Sequence, residues 1–361
     1  MAIKRDNIHY STRKIDGYNL PFNFVISERE TGKSTAIILD KIYKPFKEHG
    51  YTSIVIRRNV NDLTTAYIDD FQNYINKFYD DDIHFKYSVA SLKDGIVDIK
   101  IDGKPFIRFI GLSKRVASFK SLMFPNLHTI LFDEFICNPE FSEKYLQNEA
   151  TKFMEIYNTF RRESINLKCY FLGNPYSLFN PYFLFFNIQT KDIKRGVILS
   201  DSKTYVMECA ELSPELRALI LKNNPLYQFD NSYTRYAFNG EAINDMKIRI
   251  KEGHLEGYPL RFVFHIENKF IGVYKKQNVT LEDFVDGEAI LFYAEFLDLS
   301  KISRRRDIFC FDFSDLVNRT SLLSNEDKWR FADLKKSMRE RKIVFSSIEC
   351  YYLFEEIFFN I

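Results

Sequence analysis

The stretch from Phe22 to Leu39 constrains this chain most. An apolar run is followed by Ser27-Glu28-Arg29-Glu30-Thr31-Gly32-Lys33-Ser34-Thr35 and then by Ala36-Ile37-Ile38-Leu39. This is the pattern of a buried strand, a tight loop and the first turns of a helix, the setting a phosphate-binding loop needs. Loop amides and the helix N-terminus would face a nucleotide's phosphates, Lys33 would add a positive charge there, and the Ser34 hydroxyl would ligate Mg²⁺. The usual spacing is G-x-x-x-x-G-K-[ST]. Ser27 stands where its first glycine belongs, and two carboxylates, Glu28 and Glu30, lie inside the loop. Taken alone, these residues also fit a surface turn that caps an ordinary helix.

Two further segments bear on that choice. Leu127-His128-Thr129-Ile130-Leu131-Phe132-Asp133-Glu134 is a hydrophobic strand ending in adjacent carboxylates. A buried strand of this kind can hold Asp133 against Mg²⁺ and aim Glu134 at the water that attacks the γ-phosphate. Lys168 to Pro175 is a strand ending in Gly173-Asn174-Pro175, where Asn174 could sense the γ-phosphate; the same tripeptide is also a good turn. Arginines matter because phosphoryl transfer builds charge on equatorial oxygens. Candidates are Arg161 and Arg162, with Lys120 in a loop and Arg57 and Arg58 at a strand end; solvated or helix-terminal positions are the plain alternatives.

Strand and helix signals alternate through the first half, which predicts an α/β fold with a parallel sheet covered on both faces. Strands are expected at Ser53–Arg58, Ile83–Tyr87, Gly95–Ile101, Pro105–Gly111, Leu127–Phe132 and Leu167–Leu172, with an Asp102-Gly103 hairpin turn. Helices are expected at Thr35–Glu48, Thr64–Phe78 and Glu143–Arg162. This gives a nucleotide-binding domain over 1–208, a helical linker over 209–236 opened by Ser213-Pro214, and a smaller domain over 237–361. In the last, a hairpin is expected around Glu267-Asn268-Lys269, a helix from Asn325 to Arg341, and a strand and helix from Lys342 onward.

Composition narrows the partners. A net charge of +2 means that any nucleic acid is held by local basic patches and not by a global field. Arg304-Arg305-Arg306 and the run Lys335 to Lys342 are such patches, or else solvated helix faces. The five cysteines form no C-x-x-C pair, which argues against zinc and for a reducing cytoplasm. No signal peptide or membrane span is expected.

Taken together, the Lys33 loop, Arg57-Arg58-Asn59, Lys120-Ser121, Phe124-Pro125-Asn126 leading into Thr129 to Phe135, and Gly173-Asn174-Pro175 resemble the DNA-packaging ATPases of small phi29-like phages. These are relatives of large terminases among the additional-strand, conserved-glutamate ATPases. The resemblance is densest from Ile15 to Pro175. It implies an ATP- and Mg²⁺-dependent motor that drives double-stranded DNA into a preformed prohead. The expected assembly is a homo-oligomeric ring, a pentamer, docked on the portal from the host cytoplasm, with a structural packaging RNA as a further partner. It also implies active sites between subunits, with Arg161 (or Arg162) and Lys120 acting on a neighbour, and a place for Arg29 as a loop arginine of the terminase kind. The C-terminal domain is expected to be RNase H-like and to have lost its metal ligands. An active nuclease would instead use carboxylates among Glu267, Asp283, Asp286, Asp298, Asp312 and Asp315. A non-hydrolytic scaffold with a degenerate loop, supported by Ser27, is the reading from outside the enzymes.

Overall fold

The structure is a computed structural model. It describes residues 8–79, 82–88, 90–114, 124–138, 143–162, 164, 166–176, 180–188, 192–229, 250–251, 257–280, 283–285, 288–303, 306–311, 313–339, 342–347, 349–351, 353–354 and 357. The chain divides into two compact units, Met1–Ile243 and Asn244–Ile361. Among the described residues no helix is long and apolar enough to cross a membrane.

The first unit is built on eight strands: β1 (Phe22–Ile26), β2 (Thr52–Arg57), β3 (Ile96–Ile101), β4 (Lys104–Gly111), β5 (Leu127–Asp133), β6 (Lys168–Gly173), β7 (Ile198–Ser200) and β8 (Tyr205–Cys209). They lie in the order β3-β4-β2-β5-β6-β1-β8-β7. The six central strands run parallel, and an antiparallel strand closes each edge. The expected α/β fold is therefore observed. Successive residues of each central strand alternate between two cores, as the two-residue period of a strand requires. Phe24, Ile56, Phe132 and Phe171 enter one, with the helices Glu149–Arg161 and Pro181–Phe185. Val25, Val55, Leu131 and Leu172 enter the other, with the helix Thr65–Tyr79 and the helical run from Lys33 to His49.

That run is helical as expected and ends at Gly50 in the left-handed conformation (φ 68°), but its middle, Ile38–Tyr43, is a wide π turn. Pro45 supplies no N–H for the carbonyl four residues before it. That carbonyl, of Lys41, instead accepts the Thr129 hydroxyl of β5 at 2.9 Å. Asp102 and Gly103 form the β3–β4 turn at φ 50° and 77°, the left-handed pair that a two-residue hairpin favours.

Three expectations need adjusting. Ile83–Tyr87 is not a strand; it contributes one isolated bridge, Lys86 to Lys100. The helix expected from Glu143 starts at Glu149, because the buried Glu149 carboxylate accepts the Leu146 N–H and pairs with Arg58, which fixes the preceding turn. The edge pair β7–β8 carried no clear signal. In the stretch expected as a linker, the helix Pro214–Asn223 is capped by Ser213, and it buries Leu216 and Ile220 in the first unit's core; residues 230–236 lie outside the described residues.

The second unit holds β9 (Leu260–Ile266), β10 (Lys269–Lys275), the small pair β11 (Phe284–Val285) and β12 (Glu288–Ala289), β13 (Phe292–Leu297), β14 (Ile308–Cys310), β15 (Thr320–Leu322) and β16 (Ile343–Phe345). Its main sheet has the order β15-β14-β9-β10-β13-β16. β9, β10 and β13 form an antiparallel meander, and β14 and β15 add in parallel beside β9. β16 pairs in parallel with β13 on the far side of the sheet. The expected hairpin turns at Glu267 and Asn268, both left-handed. The helix expected from Asn325 begins as a tighter 3₁₀ stretch, Asn325–Phe331, and becomes α-helical at Ala332–Arg339.

Candidate nucleotide site

β1 and β5 do not touch; β6 lies between them and pairs with both. In a parallel sheet all three then end on one edge, and loops at that edge share a crevice. Their last residues bring together the Lys33 loop, Asp133-Glu134 and Asn174.

The loop closes on itself through side chains. Gly32 sits at φ 85°, where a side chain would be strained, and it lies against the His9 ring. Ser27 is not in the left-handed region, so this backbone makes no demand for glycine there. Its N–H donates to the Gly173 carbonyl at 3.2 Å, and its hydroxyl is 2.6 Å from that of Thr31. The two loop carboxylates are also occupied: Glu28 pairs with Arg195, and Glu30 accepts the Tyr227 hydroxyl.

Lys33 is buried. Its Nζ donates to Asn174 Oδ1 at 2.6 Å and lies 3.4 and 3.5 Å from the carbonyls of Glu28 and Ser27. Burial pushes its ammonium down to about 8, although Asp133 and Glu134 oppose the shift. The Ser34 hydroxyl donates to Asp133 Oδ1 at 3.4 Å. Neighbouring oxygens around an octahedral Mg²⁺ are about 3 Å apart, so this hydroxyl–carboxylate pair fits such an ion. Asp133 Oδ2 accepts the Tyr67 hydroxyl at 3.2 Å and lies 3.6 Å from Arg57. Burial raises the Asp133 carboxyl, and Arg57 pulls it back.

Glu134 leaves the strand at φ 58°, and its carboxylate accepts Arg57 Nη2 at 2.5 Å. Arg57 itself lies over the Tyr67 ring, 4.7 Å from its centroid. Arg58 faces the other way: it is buried against Glu149 at 2.9 Å and donates to the carbonyls of Glu134 and Phe135. One of the adjacent arginines thus touches the candidate catalytic carboxylates, while the other braces the turn that presents them. Arg29 donates to the Tyr176 hydroxyl at 2.8 Å, which also receives Asn174 Nδ2 at 3.2 Å. Tyr67 and Tyr176 were not foreseen as site residues. Tyr176 comes three residues after β6, whereas Tyr67 lies in the first turn of the helix Thr65–Tyr79, ten residues beyond β2, and no motif marks either of them.

Lys120 lies outside the described residues. Arg161 and Arg162 are exposed at the end of the helix Glu149–Arg161. Ser164, just beyond, donates to the carbonyl of Leu127, the first residue of β5, while Asp133 is its last. A strand of that length spans roughly 20 Å, so the structure does not bring Arg161 or Arg162 to their own chain's site.

In the second unit, Asp283 is engaged by Lys276 at 2.9 Å and by Thr280, and Asp298 caps a turn. Glu267 occupies the β9–β10 turn, and the backbone carbonyl of the buried Asp315 meets His265. Asp286 and Asp312 lie outside the described residues, as do Arg304 and Arg305. No cluster of three or more potential metal ligands occurs among the described residues.

Comparison with known proteins gives the family. Residues 5–361 match the family described as Podovirus DNA encapsidation protein (Gp16). The chain belongs to that family. Its relatives include the DNA packaging protein of Bacillus phage phi29, 28% identical over 320 residues, or 88% of this chain and 87% of the relative. The DNA packaging protein of Bacillus phage B103 is 28% identical over 311 residues, 86% of this chain and 88% of the relative. A chain of the bacteriophage Phi-29 viral genome packaging motor assembly superposes with a TM-score of 0.62 at 23% identity, covering 98% of this chain and 99% of that one. A chain of the Phi-28 gp11 DNA packaging motor gives 0.63 at 17% identity, covering 98% and 97%. These two likenesses establish the fold along the whole length. The resemblance drawn from the Lys33 loop, the Asp133 strand and Asn174 is borne out, and with it a role in genome encapsidation.

Proposed function

We propose that this encapsidation protein is the ATP-hydrolysing subunit of a ring motor that drives double-stranded DNA into a preformed prohead. The observation that carries the reading is the convergence of Lys33, Ser34, Asp133, Glu134 and Asn174 at the shared edge of β1, β5 and β6. Lys33 and the loop amides hold phosphate. Ser34 and Asp133 would hold Mg²⁺, which neutralises charge on the β- and γ-phosphate oxygens when bound. Glu134 accepts the proton of the attacking water, and its bond to Arg57 must loosen first, so that the oxygen Arg57 occupies can face the water. Asn174, bonded to Lys33, reports the γ-phosphate to the loop at Tyr176.

Arg161 or Arg162, far from their own site, act on a neighbour's, as does Lys120; this rests on the family resemblance, as do the pentamer, the portal, the packaging RNA and prohead docking in the host cytoplasm. The paired state of Glu28 and Glu30 supports phosphate in the loop, and a backbone at Ser27 that makes no demand for glycine weighs against the scaffold reading.

The test is steady-state ATP hydrolysis with and without double-stranded DNA for wild type, Glu134→Gln and Arg161→Ala. A DNA-stimulated rate lost in both, and partly restored when Lys33→Ala and Arg161→Ala subunits are mixed, is expected of shared sites. No hydrolysis under any assembly condition would leave a nucleotide-binding scaffold.

A further inference from the structure

Two carboxylates in a phosphate-binding loop are electrostatically costly beside a polyphosphate, and the structure gives each a specific partner. Glu28 is 1% exposed. Its Oε1 accepts Arg195 Nη2, and Arg217 Nη2 stands 3.8 Å from the same oxygen. Arg195 is held in turn by Glu211 at 3.6 Å. Glu30, exposed and left-handed at φ 62°, accepts the Tyr227 hydroxyl at 2.8 Å.

Arg217 belongs to the helix Pro214–Asn223 and Tyr227 to the turn Pro225–Gln228 that follows it. Both lie on the stretch that continues into the second unit. Neutralising the loop's charge would need the arginines only. Tyr227 carries no charge, so its bond to Glu30 adds attachment and not compensation. A buried carboxylate separated from its cations is strongly disfavoured, so Glu28 cannot shift without Arg195 and Arg217.

We infer that Glu28 with Arg195 and Arg217, and Glu30 with Tyr227, form a latch by which the phosphate-binding loop moves the segment 211–228. Arg217 and Tyr227 are positioning residues in this scheme. The inference rests on reading the loop as a nucleotide site. Phosphates entering the loop press on both carboxylates, and the displacement passes to the helix and turn they hold.

The test is hydrogen exchange of the 214–228 amides in the full chain, with ADP and with a non-hydrolysable ATP analogue, while affinity for both is measured. In wild type the exchange rates are expected to differ between the two nucleotides by about fivefold or more. In the double variant Arg217→Met, Tyr227→Phe the difference should vanish with affinity retained, and Arg217→Lys should keep part of it. In the assembled motor, DNA packaged per ATP hydrolysed should fall in the double variant by more than about fivefold. A difference that persists in the double variant, or is missing from wild type, overturns the latch. So do hydrolysis and packaging that fall in proportion, since the contacts would then only support the loop. If wild type binds neither nucleotide, the nucleotide-site reading falls first, and the affinity measurement shows it.

Discussion

The two sheets make an instructive pair. In the first unit, charged side chains gather where β1, β5 and β6 end, and each is held by another: Lys33 by Asn174, Asp133 by Tyr67, Glu134 by Arg57. In the second, β9 is largely apolar. Phe264 packs with Phe309, Phe311 and Phe331, while His265 is tied to a backbone carbonyl. Strand order by itself does not make a site. Chemistry requires charges brought together at strand ends and kept there against the cost of burial.

The largest effect should come from removing a charge at the first sheet's edge. Glu134→Gln is expected to lower DNA-stimulated hydrolysis by about 10²-fold or more, as loss of a general base does. A near-normal rate would dissolve the contrast between the sheets. Next is the contrast between neighbours. Arg58→Ala leaves Glu149 buried without its cation and should cost about 3–5 kcal/mol in chemical denaturation, whereas Arg57→Ala should change hydrolysis with little loss of stability. Equal destabilisation by the two would show that Arg57 is also structural.

A smaller effect follows from Lys33. Its folded value of about 8 lies below the unfolded value. The native chain therefore holds fewer protons between the two, and this group's contribution to stability is unfavourable below pH 8 and recovers as pH rises toward about 10.4. Phosphate binding has the opposite sign, because it needs the ammonium. Calorimetry should find ADP affinity falling roughly tenfold from pH 7 to pH 9, with Lys33→Ala flat across that range. The smallest effect is expected in the second sheet. Wild type, Glu267→Gln and Asp315→Asn should all leave DNA intact with Mg²⁺ or Mn²⁺; cleavage by wild type that either variant abolishes would make this sheet a working nuclease.

Local signals carried much of this structure. Turn pairs such as Asp102-Gly103 and Glu267-Asn268 are dictated by backbone sterics, and the three motif strands by their apolar runs and polar ends. What could not be read locally are partnerships across the chain. Glu28 looked hostile to phosphate because Arg195 is 167 residues away, and Glu30 because Tyr227 is 197 residues away. Adjacent arginines at a strand end look alike in sequence, yet opposite strand faces send Arg57 to Glu134 and Arg58 to Glu149. Ile83–Tyr87 has strand-like residues but meets β3 at the single bridge Lys86 to Lys100, and the short edge strand β7 with its neighbour β8 gives too weak a signal to be found.

The strand order also sets a timetable for synthesis. β3, β4, β2 and β5 pair among themselves and can close as a sheet once Asp133 has been made. β1, although it precedes them, pairs with β6 and β8, so one side waits until Gly173 has been made and the other until Cys209. Early partial structure is then confined to residues 52–133, and pulse-labelled refolding should protect their amides before those of 22–26. The strand that leads into the Lys33 loop thus joins this sheet later than β2 to β5, so a chain truncated before β6 should leave that loop without support from its neighbours.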